Sequence, residues 1–313
     1  GRTPMGAGMA APAALASGDA LGAAWRLLLM VVTVVVVHGA WAANVAYSLV
    51  HPVYRGGGAR RRNDSILDSR ARGDVATGAV RARALMYWLT DPRYLVNAIG
   101  VITLPVVFFA LAVPVAGLDP RWGFAAPVIL AASIGWGRHN DVAYDSSALH
   151  VDVVAGRLGR AVMTGRMQAV LAWALPAVAL ASLGVLAWAE RWTAAPGLVG
   201  ACAGALGIGL GISSITAVTL PYRAPGPGEN PFGAEVGSVG ASLVAQLASG
   251  AAMVSALPLV TIPFVLSLTV DVRWGWLALV SGCALGTAAA IVGARVAGAV
   301  YDRRAGRLLA AVS

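Results

Sequence analysis

Residues 196–220, PGLVGACAGALGIGLGISSITAVTL, carry no charged side chain. A bilayer core of about 30 Å needs about 20 apolar helical residues to cross it. This run is long enough. Its glycines recur as Gly200-x-x-x-Gly204 and Gly207-x-x-x-Gly211, and Gly282-x-x-x-Gly286 follows in the last apolar run. That spacing lets two membrane helices approach backbone to backbone. We read the six glycines as helix-packing positions, with a sliding surface as the functional alternative.

Working outward, six further apolar runs cover Trp25 to Val50, Tyr94 to Ala116, Gly123 to Gly137, Met167 to Ala189, Val239 to Val270 and Trp274 to Val300. The run from Gly123 is short, and the run from Val239 is long enough to begin as an interfacial helix. The expected fold is an all-α polytopic membrane protein with about seven transmembrane helices. The chain is 58% hydrophobic and 12% charged, against about 25% charged in soluble domains.

All 23 basic residues are arginine. A P-loop needs a lysine to reach the β- and γ-phosphates, and a Schiff-base enzyme needs one to attack a carbonyl. The chain is therefore expected to perform neither chemistry and to carry no cofactor. Cys202 and Cys283 lie in apolar runs and read as small core residues.

With the C-terminus cytoplasmic, the inner segments 51–93, 138–166, 221–238 and the tail with Arg295 hold 18 arginines, and the outer segments hold five. This obeys the positive-inside rule. Trp122, Trp192 and Trp274 sit at the outer edges, as interfacial aromatics do. The expected location is a bacterial plasma membrane, with the arginines against anionic lipid and no nucleic acid bound. Residues 1–24 read as an external loop, 25–50 as a span that could close a preceding half, 51–73 as a basic cytoplasmic linker, 74–300 as a six-helix domain and 301–313 as a cytoplasmic tail.

Residues 74–90, DVATGAVRARALMYWLT, mix Val75, Val80, Leu85, Met86, Trp88 and Leu89 with Arg81 and Arg83. This suits an interfacial helix with its arginines toward water. Asp91 then caps the next helix, and Pro92 takes its first position, where a missing N–H is harmless.

Residues 138–166, RHNDVAYDSSALHVDVVAGRLGRAVMTGR, are too polar to span. Asp145 can cap a short helix through Ser146, Ser147, Leu149, His150, Val153 and Val154, with Gly156 as its stop. Three readings compete: a metal site from His139, Asp141, Asp145, His150 and Asp152, a lipid phosphotransferase with paired aspartates, and a helix that docks a cytoplasmic partner. The first lacks a recognised ligand spacing and the second lacks the register of aspartates and glycines, so docking is preferred, with no metal bound. Inside the spans, His38, Asn44, Asn97 and Gln246 are candidates for the substrate path, because polar residues at that depth usually face the bundle interior.

The order of elbow helix, two spans, cytoplasmic helix and four spans over residues 74–300 resembles the permease half of ABC-2 type exporters. The resemblance rests on Thr90-Asp91-Pro92-Arg93, on Asn140 to Arg166 with Asn140, Asp145, Ala148-Leu149 and Gly165-Arg166, and on Leu220-Pro221 to Asn230-Pro231-Phe232. His150 stands where that family often has an aromatic residue, and Thr90 where it usually has arginine. The resemblance implies that this chain is not itself the enzyme. ATP and Mg2+ would bind separate cytoplasmic ATPase subunits docked on residues 145–154, and the chain would pair with a second membrane half to export amphipathic or apolar substrates. The alternative is a proton-coupled secondary transporter using His38, with a membrane-embedded lipid enzyme as a third class.

Overall fold

A computed structural model describes residues 4–50, 75–115, 117, 119–145, 148–154, 156, 158–226, 229 and 238–312. Among these residues the chain is helical, without strands. It divides into two compact units, Gly1–Asp64 and Ser65–Ser313.

The first unit holds α1 (Pro4–Ala16) and α2 (Ala20–Val50). The expected external loop at 1–24 is thus mostly helical, since its alanines are the best helix formers. Gly18, at φ 82°, makes the turn, and the Asp19 carboxylate accepts from the Gly22 amide at 2.8 Å to start α2. The linker at 51–73 lies outside the described residues.

The second unit begins with α3 (Val75–Thr90), α4 (Pro92–Val115) and α5 (Ala125–Trp136). Asp91 starts α4 by accepting from the Arg93 amide at 2.9 Å. α5 follows a 3-10 turn at Pro120–Phe124, and its 12 residues rise only about 18 Å. The expected third span is therefore too short to cross alone. A 3-10 turn at Ala143–Asp145 and α6 (Ala148–Val154) come next, followed by α7 (Gly159–Trp188) and α8 (Ala195–Thr219). α7 starts eight residues before the expected Met167, because Ala161, Val162 and Met163 are buried and extend its core-facing surface.

The expected single span from Val239 to Val270 is two helices, α9 (Val239–Ala256) and α10 (Pro258–Thr269). Pro258 has no N–H to continue the ladder, which interrupts the helix at Leu257. α11 (Trp274–Val312) runs 39 residues, well past the expected Val300. Among the described residues, five helices are long and apolar enough to cross a membrane: Ala20–Ala43, Gly159–Trp188, Trp192–Thr219, Val239–Ala256 and Trp274–Ala311. The fold is that of a helical membrane protein.

α8 and α11 form the central contact and run parallel: Gly197 meets Gly275 at one end and Gly211 meets Gly293 at the other. A Cβ on Gly200 would lie 2.1 Å from the Ala278 carbonyl oxygen, and one on Gly207 would lie 2.2 Å from that of Gly286. Gly204 faces Val260 of α10, and Gly282 abuts Gly200. Only glycine permits this approach. α7 runs antiparallel to α11, with Gly159 against Gly298. Residues 137–145, 148–154 and 220–226, and the starts of α4 and α7, consequently gather at one end of the unit.

Candidate functional site

At that end lies a cluster of buried charges. Arg83 reaches from α3, Arg138, Asp141, Asp145 and Asp152 come from the segment between α5 and α7, and Arg166 comes from the second turn of α7. The Arg83 Nη1 donates to Asp152 Oδ1 at 2.9 Å, and its Nη2 contacts both Asp152 Oδ2 and, at 3.3 Å, Asp145 Oδ2. Arg166 pairs with Asp145 Oδ2 and donates to the Asp141 carbonyl at 3.1 Å. Arg138 pairs with Asp141 Oδ2, and the Tyr94 hydroxyl donates to Asp141 Oδ1 at 3.4 Å. Three guanidiniums thus balance three carboxylates, and every member except Arg83 is at most 7% exposed.

Burial of so much charge is tolerated only when it is paired, and removing one partner of a buried pair costs about 3–5 kcal/mol. The cluster is therefore an obligate tie between α3, the 137–158 segment and α7. Burial pushes the Asp145 carboxyl up, and the Arg166 and Arg83 guanidiniums only partly offset this; its Oδ1 has no hydrogen-bond partner. Burial also acts to raise Asp141, but there Arg138 and Arg166 prevail and hold the carboxyl below its ordinary value.

Two further ties secure the 220–226 loop. Asn140 Nδ2 donates to the Tyr222 carbonyl and the Tyr222 amide donates back to Asn140 Oδ1. Arg93 donates to the Pro225 carbonyl at 2.6 Å and to Asp91, with its guanidinium 5.8 Å from the Tyr144 ring centre. His139 stacks on Trp136 and bridges it to Tyr222. Its Nδ1–H donates to the Trp136 carbonyl at 3.1 Å, a pure acceptor, which leaves Nε2 to accept from the Tyr222 hydroxyl at 2.9 Å. Burial holds the His139 pKa below its usual value.

The expected docking residues divide between core and surface. Asp145 is 3% exposed and Leu149 0%, so neither presents itself to a partner. Both are drawn inward, Asp145 by the guanidiniums and Leu149 by the apolar core. Val153 is half-buried, while His150, Val151 and Val154 face outward. Ser146 and Ser147 lie outside the described residues. Arg83, expected toward water, faces inward onto Asp152 and Asp145.

Of the expected substrate-path residues, Asn97 is half-buried and donates to the Gly137 carbonyl at 3.5 Å. Gln246 is exposed and donates to the Ser242 hydroxyl at 2.8 Å. His38, on α2, is exposed with its ring 5.6 Å from that of Trp41. The Asn44 side chain lies outside the described residues.

The weighed metal cluster is spent on other contacts: its aspartates face guanidiniums and both His139 nitrogens are engaged. Among the described residues no three His, Cys, Asp or Glu side chains are placed to hold a metal ion.

Sequence reasoning missed the arginine half of the cluster. One local signal was present: Asp152 stands among Val151, Val153 and Val154, and Arg166 opens a long apolar run, settings in which a charge needs a partner. No family model matches the chain, and no similar curated protein or solved structure was found.

Proposed function

We propose that this chain is the membrane-spanning, non-hydrolytic subunit of an ATP-driven exporter, with the outer side of α6, within the 145–154 segment, as the docking point for a separate cytoplasmic ATPase. One observation carries the reading. A short helix outside the apolar spans is fixed to α3 by the buried Asp152–Arg83 pair, and the 3-10 turn before it to α7 by Asp145–Arg166, yet the helix keeps His150, Val151 and Val154 on its outer side. A displacement of α6 by a bound partner would act on Asp152 and through it on Arg83 of α3, since breaking a buried pair costs about 3–5 kcal/mol.

The absence of lysine agrees with hydrolysis on another chain. Export is the direction that the resemblance implies. The apolar spans favour amphipathic or apolar substrates, and two membrane halves would work as a pair in a bacterial plasma membrane with the C-terminus inside.

The test is purification from native membranes after mild cross-linking, followed by mass spectrometry. A stoichiometric P-loop ATPase in complex is the expected result. A protein that comes away alone, with cross-linking efficiency verified on a known complex, would overturn the proposal and direct attention to proton coupling at His38.

A further inference from the structure

The two arginines of α3 serve different sides of it. Arg83 points inward onto Asp152 and Asp145. Arg81, two residues earlier, lies about 200° around the helix. It is half-buried, and its Nη1 donates to Gln168 Oε1 of α7 at 3.4 Å. Among the described residues Arg81 forms no ion pair. A neutral amide oxygen leaves the guanidinium charge uncompensated.

α3 and α7 run side by side in the same direction. Gly165 abuts Thr77 and Val80, Arg81 meets Gln168, and Trp88 meets Trp173 with ring centres 4.9 Å apart. One turn beyond the Arg81–Gln168 pair, Leu85 and Ala172 open a groove of about 370 Å³, which Trp88, Leu89, Ala98 and Trp173 continue. Every lining residue is apolar or aromatic. Leu89 in the groove and Leu175, about one turn past Ala172, are both exposed.

α7 is one of the helices long and apolar enough to cross a membrane, so the medium that meets this side of it is lipid. An acyl chain gains little hydrophobic energy by leaving its neighbours for such a groove, because both surroundings are equally apolar. The groove can seat a chain, but selection has to come from the headgroup. The Arg81 guanidinium stands about 6 Å along the helix axis from the groove, at the end that carries the buried charge cluster. Basic pockets between helices at that level suit anionic headgroups, and a guanidinium suits phosphate.

We propose that the α3–α7 groove binds one anionic phospholipid, with its phosphate on Arg81 and Gln168 and an acyl chain along Leu85, Trp88 and Trp173. The lipid holds α3 to the span from outside, as Asp152 holds it from inside. The site does not depend on what energises the protein.

The test is lipid titration onto the full chain, stripped of lipid in a neutral maltoside detergent. Native mass spectrometry counts the bound lipid, and melting curves are recorded alongside. Phosphatidylglycerol is expected to bind as one molecule, to raise the melting temperature, and to bind about fivefold or more tightly than phosphatidylcholine of the same chains. Arg81→Gln leaves the buried cluster intact, so it should melt as the wild type does without lipid and lose that preference. Ala172→Trp fills an exposed position of the groove and should fold normally but bind neither lipid there. Either variant alone decides the matter. Equal wild-type affinity for the two lipids, an undiminished preference in Arg81→Gln, or phosphatidylglycerol retained by Ala172→Trp would each overturn the inference. So would equal stabilisation by free glycerol phosphate, which would make this a site for a soluble anion. A dimer that Ala172→Trp dissociates would overturn it too, since a second copy would then fill the groove.

Discussion

Asn140 holds the backbone of Tyr222 by both its polar groups: the Asn140 amide nitrogen donates to the Tyr222 carbonyl at 2.8 Å, and the Tyr222 amide donates to the Asn140 carbonyl oxygen at 3.2 Å. A single side chain thereby imitates a neighbouring strand and locks the 220–226 loop onto the 137–158 segment across 82 residues of sequence. Asn140→Ala should strand both backbone groups and destabilise the protein by about 1–3 kcal/mol. Asn140→Asp keeps the acceptor and loses the donor, so it should fall between. Thermal unfolding in a mild detergent ranks the three proteins, and equal stability of all of them would show that the pair contributes nothing.

Stability should also respond to pH through His139. Its folded pKa is lowered by burial, so between that value and the unfolded value of about 6.5 the folded state binds fewer protons than the unfolded one. Stability is full above pH 6.5, declines as pH falls below it, and levels off under the folded value. Asp145, whose carboxyl is raised, contributes with the opposite sign: its share of stability is present below its unfolded value and is lost as pH rises through the folded one. The difference between wild type and His139→Gln isolates the histidine, and the variant should show a flatter melting profile between pH 7.5 and 5. Parallel profiles would assign the acid sensitivity elsewhere.

The ion cluster should behave as one unit. Asp145→Ala removes the carboxylate that serves both Arg166 and Arg83, for an expected loss of about 3–5 kcal/mol. Arg166→Met should cost a similar amount. The double variant Asp145→Leu/Arg166→Met leaves Arg83 with Asp152 and Arg138 with Asp141, and should lose clearly less than the sum. Strict additivity in the unfolding energies would mean that the two residues are not coupled.

Docking and folding separate on α6. Val154→Arg places a charge on an outward position, so the variant should insert and melt normally but capture the ATPase at least tenfold more weakly. Leu149→Arg puts a charge into a fully buried site and should yield no folded protein. Size-exclusion profiles report the folding, and titration of the ATPase reports the binding. Normal capture by Val154→Arg would remove α6 from the interface.

Glycine substitutions divide by location. Gly200→Ala would press a methyl group onto the Ala278 backbone and force α8 from α11, with a loss of about 1–3 kcal/mol or more. Gly184→Ala on α7 meets nothing within 4 Å and should be neutral or stabilising by up to about 1 kcal/mol. The two melting temperatures should move apart, and similar shifts would refute the backbone contact.

Much of the architecture was legible because it depends on local composition. The apolar run at 196–220 is a helix, the glycine spacings in it and in the last run coincide with the α8–α11 contact, and Asp91 starts α4 beside Pro92. The break at Pro258 is legible in the residue itself, which has no N–H to give the helix ladder, although the long apolar run around it carries no other sign of two helices. The site was hardest to read. Periodicity places Arg83 on a polar face, and only its partners Asp145 and Asp152, 62 and 69 residues away, turn that face inward. The same long-range pairing buries Asp145, which local reading places at an exposed helix cap. Leu149 follows the rule that a short helix outside the spans still needs a core of its own.

The seam between α8 and α11 has one more implication. Helices that meet through side chains can slip past each other by exchanging rotamers. These two meet through glycine Cα and carbonyl atoms, with Gly200, Gly207 and Gly211 each lodged against the opposing main chain. A slip of one residue would drive Ala201 or Ile208 into the places that only glycine can occupy. The pair has a single notch and no neighbouring one, so the two helices can move relative to each other only by parting, not by sliding.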